Sequence, residues 1–331
     1  MTGFWKEKKV LVTGAGGFIG SHLVEALLAR GANVRAFVRY TSRADPGLLR
    51  DLSPADFAKL ELVPGDLRDE HAVRAAVRGC QVVFHLGALI SIPYSYVHPV
   101  EVASTNFMGT LNVLLACREH GVERLVHTST SEVYGTARQI PIDEGHPLQG
   151  QSPYSASKIG ADKLAESFFC SYDLPVVTVR PFNTFGPRQS ARAVIPTIIT
   201  QALAKDTVRL GNLDTTRDFT YVDDTVRGFL RAAEAQEVEG GTFNLGTGEE
   251  ISIGGLARKI IAILGRPVEI ALEDARLRPE ASEVLRLLSD NSLAQQRLGW
   301  QPATSLDQGL AATIDWVRAH IDRYRVGIYE Y

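Results

Sequence analysis

The chain has 331 residues, 45% of them hydrophobic and 22% charged, and carries a net charge of -3. This is the balance of an ordinary globular protein, long enough for two domains or one large α/β body with an appended lobe. The charge gives no reason to expect nucleic acid or an anionic membrane as partner. Cys80, Cys117 and Cys170 lie far apart without metal-ligand spacing, so they read as reduced thiols and no metal is expected.

The N-terminal stretch MTGFWKEKKVLVTG reaches a glycine turn after a few apolar residues, too few for a signal peptide or membrane span. A cytoplasmic location is therefore expected. KKVLVTGA reads as a strand, FIGSHLVEALLARG as a helix closed by Gly31, and NVRAFVR as the second strand. LELVPGDL, the helix DEHAVRAAVRGC and the strand QVVFHLGA follow. Then come the helix NFMGTLNVLLACREHG, the strand VERLVHTST, the long helix YSASKIGADKLAESFFCSYD and the strand LPVVTVRPFN. Apolar strands alternating with helices mean a parallel sheet covered on both faces. The fold class is therefore α/β, a Rossmann-type doubly wound sheet with a smaller C-terminal α/β substrate lobe. Past Pro181 the helices are expected to shorten as Pro, Gly and Arg become denser. RDFTYVDDTVRGFLRAAEA and GTFNLGTG look like a helix and strand returning to the large sheet. Residues 1–180 with 218–246 are assigned to the dinucleotide-binding domain, and 181–217 with 247–331 to the substrate lobe.

VTGAGGFIG sets Gly14, Gly17 and Gly20 between a strand and a helix. Glycines there let the backbone turn tightly and approach a pyrophosphate, whose charge the helix N-terminus favours. The acidic residue often found at the end of the second strand is missing; Arg39, Ser42 and Arg43 stand there instead. An acid suits the ribose hydroxyls of NAD, whereas Arg and Ser suit a 2′-phosphate, so NADP is favoured over NAD. Asp66 in GDLRD can accept a hydrogen bond from the adenine amino group, or cap the following helix.

SPYSASK puts Tyr154 and Lys158 four residues apart, on one face of a helix. A free phenol has a pKa of ~10 and needs help as a base at neutral pH; an ammonium one turn away favours the phenolate. Thr130 closes a strand in VHTSTSEVYG and can share a substrate hydroxyl's proton with Tyr154. Glu132, two residues on, is the harder case: a carboxylate at the end of a buried strand must be paired, solvated or used.

On these motifs the chain resembles the extended short-chain dehydrogenases/reductases of the nucleotide-sugar epimerase/dehydratase group. The resemblance spans essentially the whole chain: Gly14-x-x-Gly17-x-x-Gly20, Asp66-Leu67, HLGA from His85 to Ala88, Asn106 in TNFMGT, Thr130, Tyr154/Lys158, RPFNTFGP and RDFTYVDD. It implies that Phe18, Ile19, Leu67, Leu86 and Ala88 join the glycines, Tyr154 and Lys158 around the cofactor. It implies that Asn183 contacts the sugar or diphosphate and that Arg217 and Arg278 hold the diphosphate, with Arg192 and Tyr94 also lining the substrate site. Guanidinium forks suit a diphosphate.

Within the group, Thr130-Ser131-Glu132 is similar to the 4,6-dehydratases. The implied sequence is oxidation at carbon 4 with Tyr154 as base, removal of the carbon 5 proton by Glu132, loss of the carbon 6 hydroxyl as water, and hydride return to carbon 6. Ser131 stands where glucose-nucleotide dehydratases have an Asp, so either Ser131 relays a proton or Glu132 does both jobs. QGQSPYSASKIGADKLA and RPFNTFGPRQSARAVIPTIITQAL resemble dehydratases for nucleotide-linked N-acetylglucosamine of the legionaminic-acid type, and the Thr-Ser-Glu run also that of GDP-mannose 4,6-dehydratases. The expectation is a lyase acting on UDP- or GDP-N-acetylglucosamine. A UDP-glucuronate decarboxylase, with Arg278 assisting, is the alternative, followed by a 4-epimerase. A non-catalytic NADP-sensing protein on this fold would lack the Tyr/Lys pair that the chain keeps. The family further implies a homodimer joined by a four-helix bundle of NFMGTLNVLLACREHG and YSASKIGADKLAESFFCSYD.

Overall fold

The computed structural model describes residues 3–328. Residues Lys9–Thr13, apolar from Val10 to Val12, form the first strand (β1), and the chain turns at once into helix α1 (Phe18–Ala29) and strand β2 (Asn33–Arg39). Strand β3 (Glu61–Gly65), helix α2 (Glu70–Val77) and strand β4 (Val82–His85) continue the alternation. Next come the short helix α3 (Ile92–Val97) and a long helix, α4 (Pro99–His120), with π-helical turns over Ser104–Met108. Strand β5 (Arg124–Thr128), helix α5 (Pro153–Tyr172) and strand β6 (Val176–Pro181) complete the half-chain pattern.

One seven-stranded parallel sheet results, ordered β11-β6-β5-β4-β1-β2-β3, where β11 is Thr242–Leu245. This is the doubly wound order, and it reverses between β1 and β4, where the crevice at the strands' C-terminal ends receives ligands. Val10, Leu11, Val12, Val82, Val83 and Phe84 are fully buried. Burial on both faces explains why these strands read as unbroken apolar runs. One core fills the face under α1 and α7 (Val222–Glu234); the other packs α2, α4 and α5 against the opposite face.

The remaining segments form a smaller unit. Strand β7 (Asn183–Phe185) pairs with β10 (Phe219–Tyr221), and β8 (Thr207–Leu210) with β13 (Glu269–Leu272). Strand β9 (Thr216–Arg217) lies between β12 (Ile251–Ser252) and β14 (Arg286–Leu287). Helices α6 (Val194–Ala204), α8 (Ile253–Leu264) and α10 (Leu306–Ala319) share their own core around Ile198, Leu256 and Leu310; α9 (Ser292–Leu298) packs on the large sheet.

Helices past Pro181 shorten less than expected: they run 11, 13, 12, 7 and 14 residues, so that only α9 is clearly shorter than the 12 of α1, though none reaches the 20 of α5. Pro196 and Gly254 lie in first turns, where a missing N–H goes unneeded and helix-breaking residues do little harm. The segment SIPYSY, from Ser91 to Tyr96, carries the short helix α3. It is helical because Ser91 caps Tyr94 N–H at 3.3 Å and Pro93 falls in the first turn. Helix α4 is long and apolar enough to cross a membrane, but half of it is buried within the protein, as in core helices generally.

Candidate active site

The turn after β1 is built by the absence of side chains. Gly14 has φ +69°, and a Cβ there would lie 2.8 Å from Gly87 N; one on Gly20 would lie 2.2 Å from Gly14 O. Gly14 thus lets the β1 turn meet the Leu86–Ala88 segment across the sheet's switch point, and Gly20 lets α1 close onto the turn. Helix α1 has no side-chain N-cap and no acid in its first turn, so its N–H groups remain free for an anion. Phe18 and Ile19 pack against the core beneath, and Leu67 touches the space over Gly87. A cradle that any Cβ would fill, below an uncapped helix, fits a dinucleotide.

Asp66, the expected acceptor for the adenine, takes a bidentate interaction from Arg68, at 3.0 and 2.6 Å. Its carboxyl is held below its ordinary value chiefly by that hydrogen bond. The capping alternative belongs to another residue: Asp69 receives the N–H groups of His71 and Ala72 and starts α2. Arg39 lies 3.5 Å from Glu101, and the same carboxylate accepts the Tyr94 hydroxyl at 2.6 Å. Ser42 is exposed. Tyr94 is thereby tied to the Arg39 side, while Tyr96, two residues on, bonds Ser282 Oγ at 2.6 Å.

Helix α5 begins with Pro153 behind a Ser152/Ser155 capping box, worth about 1 kcal/mol, which fixes the first turn where Tyr154 sits. Tyr154 and Lys158 are both buried, and Lys158 Nζ donates to Thr128 O at 2.6 Å. Burial pulls Lys158 down to about 8, with Asp162 opposing. Burial also drives the Tyr154 phenol up; a hydrogen bond with Thr130 works against that, and the charge of Glu132 adds to it. Thr130 Oγ1 additionally accepts the Glu132 N–H at 3.2 Å, folding Ser131–Tyr134 into a single 3-10 turn. Ser131 is buried, Glu132 partly so.

The charge of Glu132 pushes the Tyr154 phenol up and opposes the lowering of the Arg217 guanidinium. Arg217 is buried, and burial lowers its pKa while Glu132 and Glu283 oppose. Glu283 lies 3.5 Å from Arg217 and 3.6 Å from Arg278, bridging the two guanidinium groups. Asn183 leaves its amide oxygen buried without a partner. The structure therefore brings Thr130, Glu132, Tyr154, Arg217 and Arg278 into one linked group. Arg192 stands apart: it is exposed, with Nε 3.4 Å from Ser190 Oγ.

Sequence reasoning singled out Asn106 by motif but not by role. It bonds Leu89 N–H at 2.7 Å, Leu89 O at 2.9 Å and Ser157 Oγ at 3.0 Å, pinning the segment after β4 to α4 and α5. Glu101, Glu283 and Asp162 were missed. A signal existed for Asp162 alone, since it continues the Tyr154/Lys158 stripe by one more turn.

This arrangement joins a glycine cradle, a buried phenol–ammonium pair, a carboxylate whose charge reaches the phenol, and two arginines. The family model for GDP-mannose 4,6-dehydratase matches residues 11–313. A UDP-glucose 4-epimerase of Mycolicibacterium smegmatis is 35% identical over 317 residues, covering 94% of this chain and 98% of the relative. A dTDP-glucose 4,6-dehydratase of an Actinoplanes species is 32% identical over 318 residues, covering 94% and 98%. The crystal structure of DesIV from Streptomyces venezuelae, a dTDP-glucose 4,6-dehydratase with NAD and TYD bound, is similar at a TM-score of 0.84 and 31% identity, covering 96% of this chain and 99% of DesIV.

Proposed function

The chain belongs to the nucleotide-sugar dehydratase/epimerase family of extended short-chain dehydrogenases/reductases, and we propose that it is a nucleotide-sugar 4,6-dehydratase. The observation carrying this reading is Glu132, a partly buried carboxylate held in the turn that Thr130 caps through the Glu132 N–H at 3.2 Å, directly after the strand end that faces Tyr154. A 4-epimerase needs the phenol and its hydroxyl partner but has no step for a second base; a dehydratase does. We further propose UDP- or GDP-N-acetylglucosamine as substrate and the 4-keto-6-deoxy sugar as product.

A bound NAD or NADP would be held by Gly14, Gly17, Gly20 and the α1 N-terminus, with Lys158 reaching it from α5. When bound, the nicotinamide supplies the hydride acceptor for carbon 4 and the donor for carbon 6. Tyr154, hydrogen-bonded to Thr130, takes the carbon 4 hydroxyl proton; Lys158 as a cation favours the resulting phenolate. Glu132 takes the proton from carbon 5, made acidic by the neighbouring ketone, and passes a proton, directly or through Ser131, to the carbon 6 hydroxyl as it leaves as water; a proton drawn from solvent then returns to carbon 5 through Glu132. Arg217 and Arg278 pair with the diphosphate, which replaces Glu283 as their counter-charge. The Asn183 oxygen accepts a hydroxyl of the sugar.

The domain division proposed is 1–180 with 218–246 for the cofactor and 181–217 with 247–331 for the nucleotide sugar, except that β10 (Phe219–Tyr221) pairs with β7 of the smaller unit and α9 (Ser292–Leu298) packs on the large sheet. A cytoplasmic homodimer through α4 and α5 is also proposed: Val100 and Met108 on α4 are 80% and 45% exposed, large apolar groups that a helix of a partner would cover. The similarity to the mycobacterial epimerase favours a second reading, 4-epimerisation. Mass spectrometry of products from UDP- and GDP-sugars separates them: loss of water supports the dehydratase, an isobaric product the epimerase.

A further inference from the structure

Tyr154, Lys158 and Asp162 follow one another at four-residue spacing on α5, and all three are buried. Asp162 is held by three side chains. It faces His127 Nε2 of β5 at 3.1 Å, accepts the Ser129 hydroxyl at 2.8 Å, and takes Arg180 of β6 through Nε at 3.2 Å and a terminal nitrogen at 3.0 Å. Arg180 in turn donates to the Tyr134 hydroxyl at 2.9 Å. Ser129 immediately precedes the Thr130–Glu132 turn, and Tyr134 closes it. One carboxylate therefore binds both ends of the turn, directly at Ser129 and through Arg180 at Tyr134, to the helix that carries Tyr154.

We infer that Asp162 is a positioning residue for the proton-transfer pair: it holds Lys158 as a cation one turn from Tyr154 and anchors the Thr130–Glu132 turn against α5. This rests on the reading that Tyr154 and Lys158 act on the substrate hydroxyl. The titratable groups around Lys158 are Tyr154 and Asp162 from its own helix, His85 from β4 and His127 from β5. Burial lowers both histidines, so they are neutral above pH 6.5, and Asp162 supplies the negative charge of the set. Burial pushes the Asp162 carboxyl up, yet His127, Arg180 and Lys158 hold it below its ordinary value.

The test follows the urea midpoint of the full-length protein from pH 3 to 10 for wild type, Asp162→Asn and Lys158→Met. The unfolded chain binds more protons than the folded one between Lys158's folded value, about 8, and its ordinary 10.5, so stability climbs with pH across that window. Asp162→Asn starts the climb lower by about one pH unit, the shift a single lost buried charge partner produces. Lys158→Met abolishes the climb; it also moves the acid-side loss of stability to higher pH, because Asp162 loses a cation that depressed its pKa. In turnover of a sugar that wild type accepts, Asp162→Asn moves the alkaline limb of kcat down by a similar amount, with KM within about twofold. Coincident stability profiles for wild type and Asp162→Asn overturn the inference. If Asp162→Asn does not fold, an unmoved acid limb in Lys158→Met overturns it instead. Wild-type protein that converts no sugar retires the functional reading, while the stability profiles still decide the coupling.

Discussion

The two ends of the crevice are made differently. At the β1 turn the working surface is backbone, exposed by glycines where a Cβ would strike Gly87 or Gly14. At the β5–α5 end it is side chains: a phenol, an ammonium and a carboxylate set among Thr130, Asp162 and Arg180. A backbone site tolerates no added atom but is indifferent to charge state. A buried side-chain site is governed by charge, because each ion there needs a partner. Substitutions should separate the two ends accordingly.

The largest effect is expected at the chemical end. Glu132→Gln removes the proposed carbon 5 base and should lower product formation about a hundred- to ten-thousand-fold, the usual worth of a general base. Carbon 4 oxidation, followed as nicotinamide absorbance in a single turnover, should survive; unchanged dehydration would remove Glu132 from the chemistry. Next comes the backbone end. Gly14→Ala places a Cβ against Gly87 at positive φ, a strain of roughly 1–3 kcal/mol before the clash is counted. It should weaken binding of either dinucleotide more than tenfold, roughly the same strain read as affinity, and lower the melting temperature. Equal affinity by calorimetry would show the turn to be plain packing. The smallest effect is expected at Arg39, which is exposed and shares Glu101 with Tyr94. Arg39→Ala should weaken NADP about tenfold, one charge-assisted hydrogen bond, and leave NAD nearly unchanged. Equal losses for both cofactors would assign Arg39 no part in choosing between them.

The same contrast explains what could be read from the sequence. Glycine spacing between a strand and a helix is local, so Gly14, Gly17 and Gly20 announced their turn directly, and the alternation of apolar runs gave the parallel sheet. Tyr154 and Lys158 were legible because four-residue spacing on a helix is also local. What binds the chemical end together is not local. Asp162 meets Arg180 across 18 residues and Ser129 across 33, and Glu283 meets Arg217 across 66. Such pairs come from the order of strands in the sheet, which periodicity does not encode. Arg39 reads in sequence as a free cation for a 2′-phosphate; only the fold brings Glu101 of α4 beside it. Pro196 misleads for the opposite reason: a proline in a first turn looks like a breaker in sequence, yet its missing N–H falls where no intrahelical partner exists.

The central claim is tested most directly by running the reaction in deuterium oxide with UDP-N-acetylglucosamine or its GDP counterpart, and weighing the product after return to ordinary water. Removal and return of the carbon 5 proton by Glu132 predicts a product lighter by one water and carrying one carbon-bound deuterium. A product of unchanged composition, inverted at carbon 4 and free of deuterium, would contradict it.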